Sequence, residues 1–362
     1  MSLALFHKLR VEQLVKETAD AVRVSFKIPQ DLKESFSFTS GQYLTLRTLG
    51  SGEELRRCYS IYSLPDDELI SVAIKKVVGG RFSTWANEKL VVGDEIEVMP
   101  PQGDFVHYCV PSKGNHYLCV ASGSGITPIL SIVKNILKTE VTSRVTLVFG
   151  NKKVSTILFL QVLNSLKNRF MERFQVIHVL SRESRYVPAL DGRLNSAKLL
   201  SLAPHLFELG TISKTYICGP EAMITDVSGG LKQAGMDGSE IYYELFGTSA
   251  STESRVESSG SLSSESDDRR VVTLIVDGRQ VTLEVPTKGK SILDTALEAN
   301  LDLPYACKGG VCGTCRAQLI KGTVRMDNQS VLSTEDIRNG AVLACRAHPV
   351  SEEVAIDFDK AL

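Results

Sequence analysis

CKGGVCGTC, residues 307–315, decides how the rest of this 362-residue chain is read. Three cysteines lie within nine positions and are separated by glycine and small side chains, so something other than core packing sets their spacing. A fourth, Cys345, arrives in AVLACRAH, which completes the pattern C-x4-C-x2-C, 29 intervening residues, C. That is the thiolate spacing of a [2Fe–2S] cluster, with Cys307, Cys312, Cys315 and Cys345 as the expected iron ligands. Glycines at 309, 310 and 313 are expected to admit unusual φ values and bring backbone N–H groups toward the sulfides. A structural zinc site is the alternative, but zinc ribbons and knuckles normally use two C-x2-C pairs and only one is present.

The surroundings of this loop form a small β-rich unit. VVTLIVDG and RQVTLEVP are strand-like runs joined at Asp277-Gly278, a tight-hairpin dipeptide. SILDTALEANL has helical spacing with Ser291 as its cap, and STED marks a second helix start. Upstream, residues 247–270 are dominated by serine and charge, too poor in apolar side chains to offset the entropy of ordering, and read as a flexible linker. The expected domains are therefore 1–108, 109–246 and 271–362, with the linker before the last. The balance of 41 basic against 42 acidic residues provides no field for nucleic acid or an anionic membrane. The apolar run in MSLALFHKLR is too short for a signal or a span, and the scattered cysteines do not make a secreted disulfide framework, so a cytoplasmic protein is expected.

The first 246 residues divide by pattern. AVRVSFKI, QYLTLRT, ISVAIKKV and DEIEVMP alternate apolar and polar residues between Gly, Pro and Asp, which predicts an antiparallel β-barrel. On a strand, Arg57 and Tyr59 of RRCYSIYS project to one face, so a cation and an aromatic plane address the same ligand. From about 114 the pattern changes: HYLCVA, RVTLVFG, FQVIHVL and TYICGP are buried-strand runs with helical segments between them, the signature of a parallel α/β nucleotide-binding sheet. Its first turn, Gly123-Ser124-Gly125-Ile126-Thr127-Pro128, is G-x-G-x-x-P and departs from the generic dinucleotide fingerprint at its last position.

Together these motifs resemble the ferredoxin–NADP reductase superfamily, fused to a C-terminal plant-type ferredoxin domain of α+β β-grasp type. The resemblance covers essentially the whole chain apart from the linker. It implies FAD in the barrel, with Arg57 on the pyrophosphate, Tyr59 packed on the isoalloxazine and Ser60 at its edge, and with Gly79, Gly80, Arg81, Phe82 and Ser83 at a helix start that faces phosphate. In such reductases the proline form of the turn is normal, so Gly123, Gly125, Thr127 and Pro128 are expected to hold the nucleotide pyrophosphate. The Cys218-Gly219-Pro220 turn is expected beside the nicotinamide, and Phe246 of YYELF, which shares a strand face with Glu244, over the flavin's second face. Each has a plainer reading as packing: Cys218 as a buried thiol before a helix-starting proline, Phe246 as core. Ser181 and Arg182, with Arg185, favour the 2′-phosphate of NADPH over NADH, although Glu183 opposes it.

Barrel, nucleotide lobe and ferredoxin, in that order, is the arrangement of reductases that feed multicomponent oxygenases. The expected route runs from NAD(P)H through FAD and [2Fe–2S] to terminal oxygenase subunits, since a flavin converts a hydride into single electrons. GEELRRCYSI, GGRFS, ASGSGITP, DLPYACKGGVCGTC and EVAIDFD are similar to the subfamily serving phenylacetyl-CoA 1,2-epoxidases in phenylacetate degradation. Reductases of ring- or steroid-hydroxylating oxygenases share most of these motifs. A stand-alone diaphorase would keep all of them, and a zinc-containing binding module would use only the cysteines.

Overall fold

The computed structural model describes residues 6–50, 53–111, 114–184, 186–246, 268–276 and 278–360, which pack as two compact units, one before and one after the serine-rich segment. Residues 247–267 of the expected linker, together with Arg185 and Asp277, lie outside the described residues.

The first unit begins with strands β1 (His7–Thr18), β2 (Ala21–Lys27), β3 (Tyr43–Gly50), β4 (Glu53–Ser60) and β5 (Leu69–Lys75), then helix α1 (Arg81–Glu88) and β6 (Glu95–Val98). They form a six-stranded antiparallel sheet in the order β4-β3-β6-β1-β2-β5. A bridge between Ile61 and Val72 joins its two edges and curls it into the expected barrel. Alternate residues such as Leu44, Leu46, Ile96 and Val98 fill the interior, and α1 adds Phe82 and Ala86.

The chain continues as β7 (His116–Ser122), α2 (Ile126–Thr139), β8 (Arg144–Asn151), α3 (Leu160–Arg169), β9 (Phe174–Leu180), α4 (Ser196–Leu206), β10 (Ile212–Gly219), α5 (Glu221–Gln233) and β11 (Ile241–Leu245). All five strands are parallel, in the order β11-β10-β7-β8-β9. Their apolar runs are continuous because both faces are covered. Leu118, Val120, Val148 and Ile217 pack with α4 and α5, whereas Tyr117, Cys119, Leu147 and Phe149 pack with α2 and α3. Strand order reverses between β7 and β10, the kind of switch point at whose C-terminal strand ends open parallel sheets bind ligands.

Barrel and sheet share one core: Ala21, Tyr62, Ala73 and Phe105 pack with α2 and its strands. A polar seam reinforces the contact. Ser131 donates to the Ser63 carbonyl at 2.8 Å, Lys134 to that of Tyr62 at 3.1 Å, and the Phe159 N–H to Glu17 at 2.7 Å. Beneath the seam Glu140 is fully buried. Its carboxylate meets His107 at 2.9 Å and accepts from Tyr117 at 2.9 Å, Ser143 at 2.6 Å and the Val110 N–H at 3.2 Å.

The second unit holds β12 (Arg269–Val276), β13 (Arg279–Pro286), α6 (Ile292–Glu298), β14 (Arg316–Lys321), β15 (Val324–Met326), α7 (Thr334–Arg338), β16 (Ala341–Leu343), β17 (Ala347–Pro349) and β18 (Glu353–Asp357). The main sheet runs β13-β12-β18-β14-β16, parallel only between β12 and β18, with β15 and β17 paired apart. Ser291 caps α6 and Ser333 caps α7 as their sequences predict. The β12–β13 hairpin turns through Gly278 at φ +69°. Strand β12 starts two residues inside the stretch read as linker, because Arg269 and Arg270 pair with Pro286 and Val285.

Burial alone would raise the Glu140 carboxyl, but the bonds from Ser143, His107, Tyr117 and the Val110 N–H outweigh it and hold it below 4.5. Its folded value lies below its unfolded one, so the stability it confers is present above about pH 4.5 and lost as pH falls through the folded value. Glu140→Gln is therefore expected to cost about 2–4 kcal/mol at neutral pH. In thermal melts its deficit against wild type shrinks below pH 4.5; a deficit that stays the same down to pH 3 would contradict this.

Candidate functional site

In the second unit the four predicted cysteines converge between α6 and β16. The Cys307 thiol is pushed up by its neighbour Cys312 and by burial, and the Cys315 thiol by Cys345, by burial and by Cys312. Backbone donors point at them: the Gly309 N–H reaches Cys307 Sγ at 3.2 Å and the Val311 N–H bonds the same thiol. Four neighbouring thiols, with backbone N–H groups aimed at Cys307 and Cys315, match the needs of an anionic cluster, and the residues fit. The turn is made by positive φ at Lys308 (+52°), Gly310 (+76°) and Gly313 (+74°). Gly309, expected to share in this, does not, and a lysine does instead. Lys308 is held by Asp294 at 3.0 Å and lies over the Tyr305 ring.

Asn328, which the sequence reading missed, clamps the loop by donating to the Gly309 carbonyl at 2.9 Å. A Cβ on Gly310 would lie 2.7 Å from the Asn328 carbonyl. The only signal in sequence was a polar Asn-Gln-Ser run, which reads as an ordinary turn.

In the barrel, β4 carries Arg57, Tyr59 and Ser60. Arg57 donates to the Arg56 carbonyl at 2.7 Å, and the Tyr59 ring lies 5.6 Å from that of Phe82. Burial pushes the Tyr59 hydroxyl far up, so it stays protonated. Helix α1 starts at Arg81 after Gly80, with no side-chain cap and no acid in its first turn, which leaves a positive end for phosphate. Gly79, at φ +75°, has open space where a Cβ would stand, so a ligand can approach the backbone there. Ser83 is turned inward, accepting from the Val77 N–H at 3.1 Å, and Phe82 is buried in the barrel. These two therefore shape the turn, and only their backbone is available at the helix start.

At the sheet's C-terminal edge, Gly123 is left-handed at φ +56° with nothing near its missing Cβ. Gly125 has a different reason to be glycine: a Cβ would stand 2.2 Å from the Cys218 carbonyl, so it lets α2 pack on β10. Thr127 is buried and donates to the Ser124 carbonyl at 2.9 Å, and Pro128 is buried in the first turn of α2. Both side chains are packed into the fold. Gly219 crowds against Ser122 and Met223, and Pro220 caps α5.

The junction of the two sheets brings together three predicted residues. Ser60 ends β4 and donates to Glu244 at 3.2 Å, and Glu244 pairs in register with Cys218 across β10 and β11. Burial raises the Glu244 carboxyl to about 8 against the opposing bond from Ser60, and burial with Glu244 beside it keeps Cys218 a thiol. Phe246 follows directly, 36% exposed. Ser181 and Arg182 lie exposed after β9, where the Arg182 N–H bonds the Lys152 carbonyl at 2.9 Å and so adds Lys152 and Lys153 to the basic edge. Glu183 accepts the Val154 N–H at 2.9 Å.

Residues 8–107 match the oxidoreductase FAD-binding domain, residues 119–229 the oxidoreductase NAD-binding domain and residues 274–350 the 2Fe-2S iron-sulfur cluster binding domain. The chain is 40% identical over 359 residues to a 1,2-phenylacetyl-CoA epoxidase subunit of Escherichia coli, covering 99% of both chains. It is 30% identical to the ferredoxin reductase component of 3-ketosteroid-9-alpha-monooxygenase from Rhodococcus rhodochrous, covering 97% of this chain and 96% of that one. Among solved structures, phthalate dioxygenase reductase shares the fold with a TM-score of 0.58 at 20% identity, covering 98% of each chain. The chain thus belongs to the family of oxygenase reductases that includes this phenylacetyl-CoA epoxidase component, built from FAD-binding, NAD-binding and C-terminal 2Fe-2S domains.

Proposed function

We propose that this chain is the reductase component of a phenylacetyl-CoA epoxidase, drawing electrons from NADPH and delivering them to the oxygenase subunits. Its strongest support is the Ser60–Glu244 bond, which sets the FAD-binding sheet against the end of the nucleotide-binding sheet where Cys218 lies. The 40% identity along the full length of the Escherichia coli epoxidase component favours that oxygenase over a steroid or betaine system. The cytoplasm is the matching compartment: all eight cysteines are free, and among the described residues no helix is long and apolar enough to cross a membrane.

Bound FAD supplies the conversion of a two-electron hydride into single electrons, and a bound [2Fe–2S] cluster carries them singly. The chain's own residues supply position and charge. Arg57 and the start of α1 at Gly79–Arg81 hold the flavin diphosphate, while Tyr59 provides a flat, neutral wall for the ring. Gly123 and the first turn of α2 receive the nucleotide pyrophosphate, and the Cys218-Gly219-Pro220 turn sets the nicotinamide against the junction. At neutral pH Glu244 holds a proton at its carboxyl and Ser60 keeps a hydroxyl directed to it, so the junction is uncharged and polar. Phe246 shields it from water. Arg182, Lys152 and Lys153 favour NADPH, three cations against the one carboxylate of Glu183. Cys307, Cys312, Cys315 and Cys345 hold the cluster, with the domains divided near residues 108, 247 and 270.

The purified protein is expected to show flavin bands with a broad iron–sulfur shoulder, both bleaching under anaerobic NADPH and more slowly under NADH. A colourless, zinc-containing protein would refute the reading. Cys345→Ser is expected to remove the shoulder while the flavin still bleaches; retention of the shoulder would show that Cys345 is not a ligand. Glu244 has a folded value near 8 against 4.5 when unfolded, so the stability it confers is full below about pH 4.5 and is lost as pH rises toward 8. Melting temperatures of Glu244→Gln should therefore gain on wild type between pH 5 and pH 9, and a pH-independent difference would contradict the burial.

A further inference from the structure

At the end of the parallel sheet opposite Cys218, the His107 imidazole, the Cys109 thiol and the Glu140 carboxylate converge, with their metal-ligating atoms all within 4.8 Å of one another. Two separate stretches of chain bring them together. His107 and Cys109 lie on the segment between β6 and β7, where the His107 N–H is anchored to the Ser40 carbonyl at 3.3 Å. Glu140 follows α2 directly, and the Arg173 guanidinium donates to its backbone carbonyl at 2.9 Å. His107 and Glu140 are buried, whereas Cys109 is half-buried between the exposed Tyr108 and Val110, so the thiol is the side from which the cluster meets solvent.

The hydrogen bonds around Glu140 account for the carboxylate and the imidazole, but not for a thiol beside them. Two atoms bound at about 2.0–2.3 Å to one tetrahedral ion stand about 3.5 Å apart, so a small inward movement closes all three groups onto a single ion. The groups that orient such ligands are in place. His107 turns its Nδ1 to the Tyr216 hydroxyl at 2.7 Å, which aims Nε2 at Glu140 Oε1, 2.9 Å away. The other carboxylate oxygen accepts from Tyr117 at 2.9 Å and from Ser143 at 2.6 Å. Metal-bound imidazoles and carboxylates are fixed by hydrogen bonds of this kind. Burial and the neighbouring Glu140 push the Cys109 thiol up to about 11, so a thiolate at this place calls for a cation next to it.

We infer that His107 Nε2, Cys109 Sγ and a Glu140 carboxylate oxygen form a zinc site, with water as the fourth ligand on the solvent side. Imidazole, thiolate and carboxylate are the three ligand types zinc takes, whereas calcium and magnesium prefer oxygen throughout. Binding breaks the Cys109 S–H bond and releases its proton to solvent; the His107 ring proton resides on Nδ1, donated to Tyr216, so that Nε2 offers its lone pair. Zinc stays divalent and nothing is oxidised or reduced. The ion takes the place of the His107–Glu140 hydrogen bond and ties the segment that leaves the barrel to the end of α2, below the core those two parts share through Phe105. The site is independent of the flavin, the nucleotide and the four cluster cysteines.

The test uses the full chain loaded with FAD and the [2Fe–2S] cluster, so that Cys307, Cys312, Cys315 and Cys345 are occupied. The protein is stripped of loose metal with EDTA and titrated anaerobically with zinc chloride against a chromophoric chelator. Wild type is expected to bind a single zinc ion per chain, and Cys109→Ser, with its flavin retained, to bind it about a hundredfold more weakly. Zinc should raise the melting temperature of wild type and leave that of Cys109→Ser unchanged. X-ray absorption at the zinc edge of wild type should show one sulfur among nitrogen and oxygen neighbours. Failure of wild type to bind stoichiometric zinc would overturn the inference, as would equal affinity or an equal rise in melting temperature in Cys109→Ser. Should Cys109→Ser not fold, the wild-type edge decides alone: one sulfur supports the site, while no sulfur, or several as on the cluster cysteines, overturns it.

Discussion

The hydrogen bond from Ser60 to Glu244 joins two sheets that fold by different rules, and the rest of the site depends on that join. Strand β4 belongs to an antiparallel barrel whose register is set by alternation, while β11 is the edge of a parallel sheet buried on both faces. Their ends meet only because barrel and lobe share a core through Tyr62 and Phe105. Ser131 and Lys134 fasten α2 to the carbonyls of Ser63 and Tyr62, just beyond β4. Transfer of hydride requires reacting atoms in near contact, so a rigid seam is a chemical requirement as much as a structural one. The fully buried Glu140 network provides rigidity at the opposite end of the sheet, where a bond lost would leave a charge in an apolar core.

The cluster unit follows a different logic. Its loop is shaped by positive φ at Lys308, Gly310 and Gly313 and by Asn328, which ties a distant turn to the Gly309 carbonyl. These devices deliver N–H groups to sulfur, and the small mixed sheet serves as the frame on which the loop is hung.

Much of this was legible in the sequence, for identifiable reasons. Apolar alternation marked most barrel strands, continuous apolar runs marked the parallel strands, and cysteine spacing marked the cluster loop, since each is a local pattern with a local cause. Ser60 and Glu244 were singled out separately, but not as partners 184 residues apart. Gly125 was expected to face a ligand; that the Cys218 carbonyl across the sheet also demands a glycine there is visible only in three dimensions. Glu140 and Asn151 look in sequence like ordinary ends of a helix and a strand. Their burial is a tertiary fact, as is the left-handed backbone at Lys308, which nothing in a lysine's chemistry announces.

The central claim, that hydride passes at the Ser60–Glu244–Cys218 junction, is tested most directly by anaerobic stopped-flow reduction of the flavin with NADPH deuterated at nicotinamide C4. Wild type, Ser60→Ala and Glu244→Gln would be compared at saturating nucleotide. The predicted result is a primary isotope effect in wild type and a fall in the bleaching rate of about a hundredfold in each variant, with flavin still bound. Unchanged bleaching rates in both variants would place the chemistry elsewhere and contradict the account.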